Sequence, residues 1–376
     1  MNLSVIGAAT TKFGELWGSS PENLAKEAFE NALRDANLDK ESIKALFVSN
    51  LLARGLGGQG NLGALFAEEL GLTGIPAMHT GGNGGLALFA AMNSVLSGKY
   101  QTVAVIGVEK MTDYDPRIIA GTLMKAASED ERNSGTTMAG LYAMMARSYM
   151  QKYGTTENQL AAVPVKNHFH ASMNQNAQFH KIITIDAVLK SSLVADPLKI
   201  FDCAPISDGA SALIITSLKS SGVKIIASEI ATDCLGLAQR QSLTEMKSTQ
   251  IAAQKAYKES NLIPSDIDVA EVDDSFGIAE IIALEDLGFF DKGRGALAIT
   301  KGKVTLGSSE HLVVNASGGL KGGGNPIGAS GIKQIVEIVG QLNGKAGAHQ
   351  VKNAKIGLAQ IVQGSGATSI IHILKK

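Results

Sequence analysis

Two textures of hydrophobic position alternate along this chain. A continuous apolar run at residues 102–108 marks a strand buried on both faces, and 207–215 reads as another buried strand. Stretches with apolar residues three and four apart mark amphipathic helices. In order, the pattern predicts a strand at 3–8, a helix at 24–36, a strand at 43–49, a glycine loop at 55–60 and helices at 61–70 and 86–97. Ser20-Pro21-Glu22 starts the first helix with a serine cap, proline at the first helical position and an acid in the first turn. The opening Met1–Gly7 has no basic segment and reads as a first strand, not a signal peptide.

From Val223 the pattern starts again. Strands are expected at 223–229, 267–273, 313–319, 356–362 and 368–374, and helices at 249–260, 278–287 and 331–342. The letters repeat too. Ala28-Phe29-Glu30-Asn31-Ala32 through Asn37-Leu38 matches Ala252-Ala253-Gln254-Lys255-Ala256 through Asn261-Leu262. Asp208–Ile215 likewise matches Ser365–His372. Two ordered copies of a strand–helix unit imply a pseudo-twofold α/β fold with two similar sheets. The halves are expected at 1–220 and 221–376. Residues 112–200, rich in methionine and amide side chains, form an excursion over one end of the first half. Within it, residues 141–153 read as a helix and 167–180 as a polar segment.

Composition narrows the function classes. The chain has 376 residues, 45% hydrophobic and 18% charged, enough for large cores. A net charge of -1 gives no broad case for nucleic acid or an acidic membrane surface. No apolar run reaches membrane-spanning length. Cys203 and Cys234 make neither a disulfide framework nor a metal site, and a reducing cytoplasm fits this usage. No metal is expected in the chain.

Met78-His79-Thr80-Gly81-Gly82-Asn83-Gly84-Gly85-Leu86 lies between two helical runs. Paired glycines allow close backbone packing, and free N–H groups at a helix start can bind an oxyanion or phosphate. The alternative is a plain glycine turn.

Several ordered stretches resemble the thiolase superfamily, over nearly the whole chain. They are Gly84-Gly85-Leu86-Ala87-Leu88, Val165-Lys166-Asn167-His168, Ala195-Asp196-Pro197-Leu198, Asp202–Ala210, Phe276 with Ala279-Glu280, and Asn315-Ala316-Ser317-Gly318-Gly319 with Pro326-Ile327-Gly328. The likeness is greatest to the sterol-carrier-protein type and to relatives that work with a zinc-ribbon/OB-fold protein. It implies two βαβαβαββ halves stacked as α/β/α/β/α layers, in a homodimer or tetramer. It also implies a coenzyme A thioester as ligand, with no covalently bound cofactor, and a cysteine nucleophile with histidine bases.

This chain departs from that chemistry. The nucleophile position falls on Gly81 and the late histidine base on Asn325 in Gly324-Asn325-Pro326. The residue before the active-site helix is Asp273, and the C-terminal cysteine or histidine falls near Gln360. Glycine cannot form an acyl-enzyme, and asparagine cannot take a proton near neutral pH. Asp273 and Asp274 form either a general base with a raised pKa or a helix cap. By resemblance His168 lines the acyl pocket, and Gly318, Gly319 and Gly364 sit where the family binds substrate. His170, Lys166 and Lys321 are expected at the surface, although either lysine could meet a CoA phosphate. Cys203 is expected to be small, buried and inert, and His79 packed or hydrogen-bonded.

Three functions stay open. The first is a catalytically degenerate acyl-CoA-binding or structural subunit of a thiolase-like complex. Its partner would be an active thiolase subunit or a zinc-ribbon/OB-fold protein. The second is changed acyl-CoA chemistry such as a retro-aldol lyase, with Asp273, Asp274, Tyr142 or Tyr149 as base. The third is thiolase-type acyl transfer, forming or cleaving C–C bonds.

Overall fold

The computed structural model describes residues 3–218 and 222–376. Met1 and Asn2, part of the expected first strand, and the 220/221 boundary lie outside the described residues.

Among the described residues twelve strands form, in chain order: β1 (Ser4–Thr10), β2 (Leu46–Ser49), β3 (Ala77–His79), β4 (Thr102–Glu109), β5 (Leu193–Ala195), β6 (Leu198–Lys199), β7 (Gly209–Thr216), β8 (Val223–Thr232), β9 (Val269–Glu271), β10 (Val313–Val314), β11 (Ile356–Gln363) and β12 (Thr368–Lys375). β5 and β6 make a small hairpin. The others run in the order β10-β9-β11-β12-β8-β1-β7-β4-β2-β3. Read outward from its centre, this is one pattern used twice. β1, β7, β4, β2 and β3 correspond to β8, β12, β11, β9 and β10. The two sets touch through a short antiparallel ladder, Ser4 opposite Lys224 and Val5 opposite Val223. In each set the two outer pairings are parallel and the inner ones antiparallel.

Helices fill the layers between and outside. The Gly84–Leu96 and Ile327–Leu342 helices pack together in the middle, in a core with Leu88, Val105, Ile335 and Ile370. Ala91 and Ile332, both fully buried, belong to the same core. The Pro21–Ala36 helix covers β1 and β7 from outside through Leu24, Ala28 and Phe29. Its Ser20 cap accepts from the Asn23 N–H at 3.2 Å. Asn37 ends it in the left-handed conformation (φ 50°). The Lys247–Ser260 helix plays the same part over β8 and β12. Asn261 ends that helix in the same conformation (φ 55°), so the matched Asn-Leu pairs of the repeat are matched caps.

The excursion between β4 and β7 is mostly helical. It includes Pro116–Leu123, Met138–Tyr153 and Glu157–Ala171. The first part of 167–180, read from the sequence as a polar segment, is helical. Asn167, His168 and His170 lie in the Glu157–Ala171 helix and are buried. His170, expected at the surface, has no exposure; Nδ1 meets the Asn315 carbonyl and Nε2 accepts from the Leu306 N–H. Lys166 and Lys321, also expected outside, are buried. Lys166 pairs with Glu280 at 3.0 Å, and the Lys321 ammonium donates to the Cys203 carbonyl at 2.7 Å. Amide and charged side chains buried in this way are mutually hydrogen-bonded, as burial demands. No described helix is long and apolar enough to cross a membrane.

Candidate active site

Loops that follow the parallel strands of both sets converge on one cavity. Ligand sites in open α/β sheets form beyond such strand ends. Here the loops after β2, β3, β4, β9 and β11 bring Leu51, Gly82–Gly84, Met111, Asp273 and Gly364 around a cavity of about 360 Å³. The excursion closes it with Leu123, Met138 and Tyr142. The walls are mainly apolar, and the polar groups are few and specific.

Asp273 carries the only carboxylate lining this cavity among the described residues, and Lys125 the only ammonium. Asp273 lies two residues past the end of β9. Its Oδ1 accepts from the Ser275 hydroxyl at 2.6 Å and the Ser275 N–H at 3.0 Å. Burial pushes its pKa above the usual carboxylate value, while hydrogen bonds from Ser275 and from the Val362 backbone pull the other way. Tyr142 stacks on Phe276 at 4.5 Å between ring centroids, and its hydroxyl donates to the Gly364 carbonyl at 3.0 Å. Burial, and then the Asp273 charge, push the phenol pKa up, so this tyrosine is a donor and not a ready base.

Asp274 faces away from its neighbour. It accepts from the Leu320 and Lys321 N–H groups at 2.6 and 3.1 Å and from the Asn167 amide at 2.6 Å. Burial and nearby Glu280 raise its pKa. The capping expectation is therefore corrected in kind. Neither acid caps the following helix, whose N-cap, Phe276, makes no side-chain cap bond. Asp274 instead binds the first turn of the short Gly319–Gly323 helix, far along the chain. Gly319 is glycine for that reason: a Cβ there would lie 2.4 Å from Asp274 Oδ2, and its φ is +61°.

The expected site residues divide in two. Asp273, Asn325 and Gly364 line the cavity. Asp274, Gln360, His168, Gly318, Gly319 and Gly81 do not. Gln360 is fully buried behind the wall, accepting from the Asp273 N–H at 2.9 Å and donating to Thr249. His168 meets the Lys181 carbonyl through Nδ1 and stacks on Phe179, and burial lowers its pKa to about 4. Gly318 packs on Ala171. Gly81, at φ +82°, accepts from the Asn50 N–H, and a Cβ there would meet nothing within 4 Å. Its neighbour Gly82 does line the cavity, pressed against Leu51.

Other candidates take structural places. His79 Nε2 lies 2.9 Å from the Asn50 carbonyl. Tyr149 donates to Glu285 away from the cavity. Cys203 is half-buried, and burial pushes its thiol up to about 12. Cys234 is exposed. Among the described residues, no thiol lines the cavity. Sequence reasoning passed over Asn83, Ser275 and Lys125 as lining residues. The signal for the first two was their place in the Gly-Asn-Gly-Gly and Asp-Asp-Ser-Phe stretches; Lys125 offered none.

Family models now bear on this arrangement. One described as "Thiolase, N-terminal domain" matches residues 3–219, and one described as "Thiolase C-terminal domain-like" matches 230–376. The chain belongs to the thiolase family. It is 41% identical over 385 residues to an acetyl-CoA acetyltransferase of Methanothermobacter thermautotrophicus, covering 100% of both chains. It is 33% identical over 398 residues to sterol carrier protein 2 of Rattus norvegicus, covering 99% of this chain and 71% of the relative. Two solved structures share this thiolase fold. An "Ltp2-ChsH2(DUF35) aldolase" aligns with a TM-score of 0.82 at 24% identity, over 98% of this chain and 97% of that one. The Acat5 thiolase of Ascaris suum in complex with coenzyme A aligns at 0.73 and 17%, over 100% of each. Stacked α/β/α/β/α layers agree with the expectation from the sequence.

Proposed function

We propose that this thiolase-family chain acts on a coenzyme A thioester by aldol-type cleavage or formation of a C–C bond, without an acyl-enzyme. The observation that carries this is Asp273. A buried carboxylate with a raised pKa faces an apolar cavity that, among the described residues, no thiol lines. Acyl transfer of the thiolase type needs a nucleophile there, and Gly81 offers none. Aldol cleavage needs only a base and an oxyanion site.

The step balances on this chain's own groups. Asp273 takes the proton of the 3-hydroxyl of a 3-hydroxyacyl-CoA. The new carbonyl forms as the C2–C3 bond breaks, and its electron pair moves into the thioester as an enolate. C2 then takes the proton back. The products are an aldehyde or ketone and a shortened acyl-CoA.

Support from relatives is of two kinds. One structural neighbour is an aldolase with a DUF35 partner, and another was solved with coenzyme A. A homo-oligomer joined by a zinc-ribbon/OB-fold partner, working in the cytoplasm, completes the proposal. The deciding assay incubates the chain, with any partner that copurifies, with 3-hydroxyacyl-CoA substrates. Mass spectrometry then looks for the carbonyl product and shortened acyl-CoA. Acyl exchange between CoA thioesters would favour thiolase-type transfer instead, as the names of the acetyltransferase relatives suggest.

A second reading, a degenerate binding or structural subunit, is favoured by the burial of Gln360 and Asp274 in hydrogen-bond networks away from the cavity. Ligand binding with no turnover by the intact complex would select it.

A further inference from the structure

We propose that Asn83 is a catalytic hydrogen-bond donor. Its side-chain NH2, with the Gly84 backbone N–H, holds the thioester carbonyl oxygen and the negative charge that develops there. The inference rests on the aldol-type reading above.

Asn83 is the N-cap of the 13-residue Gly84–Leu96 helix. Its Oδ1 accepts from the Gly85 N–H at 2.9 Å and the Leu86 N–H at 3.4 Å. Two N–H donors fix which end of the amide faces the helix, because only oxygen can accept them. The NH2 end is left to face the cavity, whose wall Asn83 forms. The residue is only 5% exposed, yet its NH2 has no hydrogen-bond partner among the described residues, nor has the Gly84 N–H. The NH2 is not sealed off like the enclosed unpaired atoms elsewhere in the described residues, so a ligand in the cavity can reach it. Two unused donors side by side at the positive end of a helix suit an oxyanion.

The donors are held rigidly. A Cβ on Gly84 would lie 2.8 Å from the Ile332 backbone nitrogen, so glycine lets this turn seat against the Ile327–Leu342 helix. Asn325 also lines the cavity, but its amide is less firmly oriented. The Ser330 hydroxyl that reaches its Oδ1 at 2.7 Å also reaches the Pro326 carbonyl at 3.1 Å. When the C2–C3 bond breaks, charge grows on the thioester oxygen. Fixed donors then bind the transition state more tightly than the ground state.

Asn83→Asp tests this. It keeps the acceptor that caps the helix and removes the NH2. Turnover should fall by about 10²–10³, with KM changed only a few-fold. The ratio of variant to native turnover should rise as pH falls, because a protonated carboxyl regains an O–H donor, although both chains lose activity as Asp273 is protonated. A binding readout needs no turnover. The native chain should prefer an acyl-CoA thioester over its thioether analogue lacking the carbonyl, and Asn83→Asp should lose that preference. Asn83→Ser keeps a cap acceptor and serves as the folding control by thermal melting. Variants that cleave and discriminate like the native chain overturn this inference alone. A native chain that binds neither ligand overturns the aldol-type reading with it.

Discussion

Oδ1 of Asp273 accepts the hydroxyl proton of Ser275 at 2.6 Å, while the very next carboxylate, Asp274, turns to the backbone of Leu320 and Lys321. Adjacent acids therefore have separate tasks. One faces the cavity, and the other ties the loop after β9 to the loop after β10.

Asp273→Asn should lower turnover of a 3-hydroxyacyl-CoA by about 10²–10⁴-fold, the range for loss of a general base. Binding of coenzyme A should change little. Parallel kinetics and calorimetric titration separate the two, and an active Asp273→Asn enzyme would remove the carboxylate from the mechanism.

Ser275 lowers the Asp273 pKa against the upward push of burial. Ser275→Ala removes that help, so the pKa rises further. The base works ionised, so the acid limb of the kcat/KM profile should move to higher pH. A limb that moves down or stays put would contradict the assignment.

Gly81→Cys should fold. There is open space for its side chain, and the positive φ costs about 1–2 kcal/mol. Gly82→Ala should destabilise more, because its Cβ would lie 2.5 Å from that of Leu51. Thermal melts give the order. Mass spectrometry of Gly81→Cys after incubation with acyl-CoA tests whether a thiol there can be acylated.

Glu109, fully buried, accepts from the Leu51, Leu52 and Gly328 N–H groups, and burial raises its pKa to about 7 from 4.5. The folded state thus binds a proton that the unfolded state releases. Its contribution is complete below pH 4.5 and fades as pH rises towards 7, by roughly 3 kcal/mol. Denaturant melts across that range should show the native chain losing stability more steeply than Glu109→Gln.

Alkylation at mildly alkaline pH should label Cys234, which is exposed, and spare Cys203, whose thiol is pushed up to about 12. Peptide mapping reads this directly. Rapid labelling of Cys203 would mean that its surroundings open in solution.

Much of the architecture was written locally. A strand buried on both faces reads as a mostly apolar run, and an amphipathic helix is a period, so β4, β7 and the Pro21–Ala36 helix could be read without coordinates. The doubled Asn-Leu caps and the matched strands announced the pseudo-twofold. The ordered motifs announced the family, and Gly81 and Asn325 were visible as single letters. Tertiary structure decided which side chains look inward. Asp273 and Asp274 are one letter repeated, but they point to different partners because Leu320 and Lys321 N–H groups arrive beside only one of them. Lys166, His170 and Lys321 read as surface residues. Their partners at Glu280, Asn315 and Cys203 lie 114, 145 and 118 positions away, and no local pattern carries that pairing. Asn83 looked like a turn residue until its oxygen was taken up by its own helix and its nitrogen was left over the cavity. Sequence period specifies which face of an element is buried. Which polar group meets which is fixed only when distant segments close around the same space.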